Sequence, residues 1–145
     1  MAHVPPDLQW QLIRKTSSFI HRQRGIPKQF SKEPMNMKKL NSFRYSGLAQ
    51  KKAMGVLPAK DGKGVVLMYK TARNQRKPRE SVAKITLSKN GRKTLKSISS
   101  FMDKGKYRRP LKKLAQRRAS HILLSQKPVV PRKGGRRTKK AKAAV

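Results

Sequence analysis

Thirty-nine lysines and arginines stand against five acidic residues in a chain of 145, a formal net charge of +34. A compact state carrying so much charge of one sign repels itself and needs a polyanion close by to offset the repulsion. Nucleic acid is therefore the expected partner. The same excess limits chemistry, because Asp7, Glu33, Asp61, Glu80 and Asp103 stand mostly singly in polar stretches and offer little to paired-carboxylate catalysis. With no cysteine, disulfides, zinc knuckles, iron–sulfur sites and thiol nucleophiles are excluded together. His3, His21 and His121 share no metal-ligand spacing, and Asp61-Gly62-Lys63-Gly64 is a turn, too short for a phosphate-cradling loop. The sequence points to no enzyme, no metal, no cofactor and no small-molecule substrate.

The length fits one domain with a tail. The longest apolar run, Val65 to Tyr69, has five residues, far fewer than the roughly 20 that a spanning helix needs. The start of the chain has no basic region followed by an apolar stretch, so a soluble intracellular protein with no membrane partner is expected. All eight aromatic residues precede residue 108, while the last 42 residues carry sixteen lysines or arginines and no acid. The core-forming material thus lies early, and the expected division is one α+β domain over residues 1–126 and a basic tail over 127–145. That tail lacks the apolar area to order by itself and is expected to order on its polyanion.

Periodicity gives the elements. Asp7 is placed to cap a helix running from Leu8 to about Lys15, with Leu8, Leu12 and Phe19 at helical spacing and Trp10 and Ile13 widening the apolar surface. Thr16 to Pro34 reads as loop with one short strand around Phe30. Ser42-Phe43-Arg44-Tyr45-Ser46 alternates with period two, as a strand does. Ala53 to Leu57 and Gly64 to Lys70 form a hairpin around Asp61-Gly62, and Val82 to Leu87 gives a further strand. Asn90 is expected to cap a helix with Leu95, Ile98, Phe101 and Met102 as its stripe, ending near Gly105. Pro110 stands at the first turn of a second helix, where Leu111, Leu114, Ala115, Ala119, Ile122 and Leu123 share one side. The fold class is α+β: an N-terminal helix, a small, mostly antiparallel sheet over about residues 42 to 88, two C-terminal helices and a basic extended tail.

Several groups of cations are candidates for phosphate contact. The tail supplies Lys127, Arg132, Lys133, Arg136, Arg137, Lys139 and Lys140, which release counterions as they neutralise phosphates. On the last helix Lys112, Lys113 and Arg117, with Arg108, Arg109 and Arg118 alongside, form a face of one sign that has no acid to pair with at helical spacing. Arg73, Arg76, Lys77 and Arg79 cluster in a polar loop, Lys60 and Lys63 sit at the hairpin tip, and Lys51 and Lys52 precede the hairpin. Arg44 and Tyr45 interleave an aromatic with a guanidinium, a composition that stacks unpaired bases, although aromatics on a strand more often serve the core.

Several blocks in order carry a resemblance. FSKEPMNMKKLNSFRYSGLAQKKAMGV from Phe30 to Val56, DGKGVVL from Asp61 to Leu67, RRASHILLSQKP from Arg117 to Pro128 and the earlier LQWQLIRKTSSFI from Leu8 to Ile20 together resemble the eukaryotic large-subunit ribosomal protein family numbered twenty-eight. The Gly25-Ile26-Pro27 region and the tail after Pro131 depart from that pattern. The resemblance implies a structural constituent of the cytosolic large ribosomal subunit, bound to its RNA and to neighbouring ribosomal proteins, that passes through the nucleus and nucleolus during assembly. A related domain occurs in a nucleolar ribosome-assembly factor, but such a factor is expected to carry a long acidic C-terminal part where this chain is basic. The alternative from another class is a chromatin DNA-binding protein. Its tail is expected to be Lys-dominated, whereas this chain mixes fifteen arginines with twenty-four lysines.

Overall fold

The computed structural model describes residues 4–72, 77 and 79–129. Along the chain come helix α1 (Pro6–Thr16), strands β1 (Ile20–His21), β2 (Phe30–Ser31), β3 (Met54–Pro58), β4 (Val65–Lys70) and β5 (Val82–Leu87), helix α2 (Gly91–Lys104), a single 3₁₀ turn (Arg109–Leu111) and helix α3 (Lys112–Ser125). β1 and β2 form a two-residue antiparallel ladder, and β3-β4-β5 form an antiparallel meander. The fold is α+β.

Alternation along the meander decides where the core lies. Val56 pairs with Leu67 and Leu67 with Ile85, so these side chains share one face, together with Met54, Tyr69 and Val65. α2 brings Ile98 and Met102 to that face and α3 brings Ala115 and Ala119, and all four are 0% exposed. The two alanines have side chains short enough to let the α3 backbone lie close to β3. Each fully buried Val, Leu, Ile or Met in this cluster contributes about 1.5–3 kcal/mol of burial. Tyr107 closes the cluster, its hydroxyl 2.9 Å from the carbonyl oxygens of both Ala53 and Lys70, between which its one proton is shared. Burial is the main cause that pushes its phenol up to about 12.

The hairpin turn forms at Asp61-Gly62 as expected, and Gly64 is fixed there twice over. Its φ is +93°, and a Cβ would lie 2.6 Å from the Leu87 carbonyl oxygen. Three expectations need correction. Ser42 to Ser46 is not a strand, and the sheet begins at Met54: the amides of Tyr45 and Ser46 both return to the Ser42 carbonyl, at 3.0 and 2.9 Å, so the backbone turns. The alternation that imitates a strand arises because Phe43 meets Trp10 while Tyr45 packs against the central core. Asp7 does not cap α1, since Pro5 holds that position and Asp7 lies inside the first turn. There its charge still opposes the helix dipole. Asn90 holds the cap position of α2 without a side-chain capping bond.

Candidate nucleic-acid interface

Residues 31–47 contain little regular structure, yet they are pinned in place. The Glu33 carboxylate, 3% exposed, accepts the Gly47 amide at 2.7 Å. Asn36 donates to the Leu40 carbonyl at 2.8 Å, and the Ser31 amide donates to the Lys39 carbonyl at 2.8 Å. Two glycines make the fit possible. A Cβ on Gly47 would lie 2.6 Å from the Met35 Cβ, and one on Gly55 would lie 2.6 Å from the Pro34 carbonyl oxygen. Only glycine lets residues 34–35 press against both, and the segment that follows displays Lys38, Lys39, Arg44 and Tyr45 on a fixed frame.

From that frame a belt of cations runs across the body. Met37, Lys38, Leu114, Arg117, Arg118 and His121 line one cleft of about 420 Å³ between residues 37–38 and α3. Arg118 is anchored beside it, its Nε donating to the Val56 carbonyl at 3.0 Å. Lys39 adopts left-handed backbone, with φ 57°, and its Nζ donates to the Glu33 carbonyl. Its pKa lies below the ordinary lysine value because of burial first and the nearby Arg118 charge second, with Glu33 acting in the opposite direction. Lys38 Nζ stands 5.4 Å from the Tyr45 ring centroid and the Arg44 guanidinium 5.9 Å from it. Arg108, also left-handed with φ 46°, donates to the carbonyls of Arg44 and Lys52. Burial is the main cause that lowers its pKa. Lys52 Nζ completes the run 5.9 Å from the Tyr107 ring. Cation–π contacts of this exposed kind contribute about 0.5–1 kcal/mol each. Their effect is to position cations rather than to hold the fold.

Among the described residues the ion pairs are Lys77–Glu80 at 3.8 Å and Lys112–Asp103 at 3.0 Å, and neither includes a belt residue. Lys112, which hydrogen-bonds Asp103, holds that carboxyl below the usual carboxylate value. A surface of this sort suits phosphate, because guanidinium groups bind its oxygens in pairs and ammonium groups act as point charges.

Of the residues expected from sequence, Arg44, Tyr45, Lys52, Arg108, Arg117 and Arg118 are brought into the belt, with Lys51 exposed next to Lys52. Lys60 and Lys63 are exposed at the hairpin tip. Lys127 leaves from the same end, because Gln126 accepts the Gly64 amide at 2.9 Å and donates to its carbonyl at 2.8 Å. Lys77 and Arg79 are exposed between β4 and β5, and Arg109 and Lys113 are exposed at the start of α3. Lys112 is held by Asp103. Arg73, Arg76, Arg132, Lys133, Arg136, Arg137, Lys139 and Lys140 lie outside the described residues. Among the described residues, no three His, Asp or Glu side chains gather where a metal ion would sit, and no helix is long and apolar enough to cross a membrane.

Lys38, Lys39 and His121 were missed. His121 was within reach, since it follows Arg117 by one helical turn on α3. Lys38 and Lys39 were not, since their approach to α3 joins positions about eighty residues apart.

Residues 8–125 match the family model of the Ribosomal L28e protein family, a stretch that begins in the first turn of α1 and closes on the last residue of α3. A relative named large ribosomal subunit protein eL28 from Caenorhabditis elegans is 43% identical over 119 residues, covering 82% of this chain and 88% of the relative. The protein of the same name from Schizosaccharomyces pombe is 41% identical over 130 residues, covering 86% and 95%. That from Dictyostelium discoideum is 34% identical over 96 residues, covering 66% and 70%.

Proposed function

The chain belongs to the Ribosomal L28e protein family, and from that premise we propose that it is a structural constituent of the cytosolic large ribosomal subunit that binds and stabilises ribosomal RNA by charge neutralisation. The observation that carries this reading is the belt from Lys52 through Arg108, Arg44 and Lys38 to Arg117 and Arg118, cations fixed on a folded frame and outside the ion pairs found among the described residues. RNA helices packed together repel one another. A positive surface laid across their junction screens that repulsion, while the body's rigid contacts set the register. Its role is structural rather than enzymatic. Residues 1–126 act as the RNA-binding domain, and residues 127–145 extend the same neutralisation, ordering as they meet phosphate. Neighbouring ribosomal proteins meet the remaining surface, and the chain passes through the nucleus and nucleolus on its way into the subunit.

The test is sedimentation of tagged protein from a cell lysate through a sucrose gradient after a high-salt wash, with and without magnesium removal. The expected result is co-migration with the large subunit under both conditions. Release from mature subunits with retention on nucleolar precursors would make it an assembly factor, and pelleting with chromatin would make DNA its partner. Either result overturns the proposal.

A further inference from the structure

α1 has no buried residue, and what attaches it to the body is a small polar and aromatic joint. Trp10 faces Phe43, the ring centroids 6.0 Å apart and the planes 48° from parallel, so the rings form an open wedge rather than a closed stack. Asn41 lies beside them and spends both amide hydrogens, one on the Arg14 carbonyl at 2.9 Å and one on Gln29 Oε1 at 3.0 Å. This leaves Asn41 Oδ1 as a bare acceptor and Gln29 Nε2 as a bare donor among the described residues. Arg14 and Lys15 stand on the last turn of α1 at the rim. These groups line a single cleft of about 520 Å³. That volume falls within the range of about 300–1,000 Å³ typical of sites for small organic molecules.

We propose that this cleft takes one unpaired nucleotide of the bound RNA, its base against Trp10 and Phe43, its edge on Asn41 and Gln29, and its phosphate on Arg14 and Lys15. The inference rests on the RNA-binding reading and adds to it a second site and a substrate class. A nucleotide offers a π face, a hydrogen-bonding edge and an anion, and the cleft holds a counterpart for each. A duplex hides the first two, so the cleft selects single-stranded segments. Arg14 and Lys15 alone have a simpler account, since cations in a last turn offset the helix dipole. That account does not extend to the open aromatic wedge or to the part-exposed amide groups beside it.

Trp10 is the one tryptophan in the chain, so its fluorescence reads the cleft directly. The full-length protein is titrated with a short single-stranded RNA and, separately, with a blunt-ended RNA duplex of equal phosphate number, following binding by anisotropy and Trp10 by emission. The single strand is expected to quench Trp10 saturably, while the duplex binds and leaves the emission unchanged. Gln29→Ala combined with Arg14→Gln is expected to weaken single-strand binding about tenfold. Lys96→Gln, an equal loss of charge on the exposed face of α2, is expected to change it less than threefold. Trp10→Leu keeps apolar packing on Phe43 and is expected to lose about tenfold in single-strand affinity at an unchanged thermal midpoint. Binding of both RNAs with Trp10 emission unmoved, or equal losses in the α1 and α2 variants, would sink this site while leaving the RNA-binding reading in place. Failure to bind either RNA would sink both.

Discussion

The meander with α2 and α3 and the N-terminal layer of residues 4–53 are stabilised in different ways. The first buries Met54, Val56, Leu67, Ile98 and Met102, and Thr94 is its one buried polar residue among those described. The second buries Ser31, Glu33, Asn36 and Ser46, with Met37, Ala49 and Ala53 as its buried apolar residues, and α1 on its outside buries none. One region is held by apolar area removed from water. The other is held by hydrogen bonds to a few buried polar groups and by close approach at glycines. The interface draws on both regions: the body supplies stability together with Arg108, Arg117 and Arg118, and the layer laid on it supplies Lys38, Arg44 and Lys52.

A pair of truncations separates the two regions. Ile98→Ala removes a fully buried side chain and is expected to cost about 2–5 kcal/mol of unfolding free energy, measured by chemical denaturation. Leu12→Ala on α1, where Leu12 is 65% exposed, is expected to change it by less than about 0.5 kcal/mol. Equal costs would mean that α1 is part of the core after all.

Next in size is the joint between the regions. Gly55→Ala drives a Cβ to within 2.6 Å of the Pro34 carbonyl oxygen and 3.1 Å of the Met35 Cα, both backbone atoms. It is expected to cost about 1–3 kcal/mol by forcing residues 34–35 outward. RNA affinity is expected to fall with it, because Lys38 and Arg44 move with that segment. Unchanged RNA affinity in the folded variant would mean that the frame does not position the cations.

Tyr107→Phe is expected to cost less than Ile98→Ala or Gly55→Ala, about 1 kcal/mol, from the lost bond to the Ala53 and Lys70 carbonyls. Its pH dependence is more telling. The phenol's folded pKa, about 12, lies above its unfolded value, which is about 10. The stability it contributes is therefore complete below pH ~10 and is lost as pH rises from there towards 12. Denaturation midpoints across that window are expected to fall less steeply for Tyr107→Phe than for the native protein. Parallel slopes would contradict the assignment.

The same division explains what could be read from the sequence. The body follows period two and period 3.6, so the Asp61-Gly62 hairpin, the Leu95-Ile98-Met102 stripe and the helix after Pro110 were legible from their own neighbourhoods. The N-terminal layer follows no period. Phe43 and Tyr45 alternate like strand residues although a turn sends them to different partners, and Lys39, held by the Glu33 carbonyl, comes near the Arg118 charge, to which no local pattern connects it. The family resemblance was visible in blocks such as RRASHILLSQKP, and the match over residues 8–125 bears it out. The cations themselves were visible as composition. Their sorting into Lys112, held by Asp103, and Arg117, which lines the cleft beside Lys38, depends on tertiary contact.

If the belt neutralises RNA phosphates, affinity for large-subunit ribosomal RNA must fall steeply as salt rises. If about ten phosphates are neutralised, log affinity should fall against log salt with a slope on the order of −7 to −9. The double variant Lys38→Gln, Arg117→Gln should flatten that slope by about 2 units, one for each lost phosphate contact. A shallow native slope, or a double variant whose slope matches the native one, would show that the belt does not face the RNA.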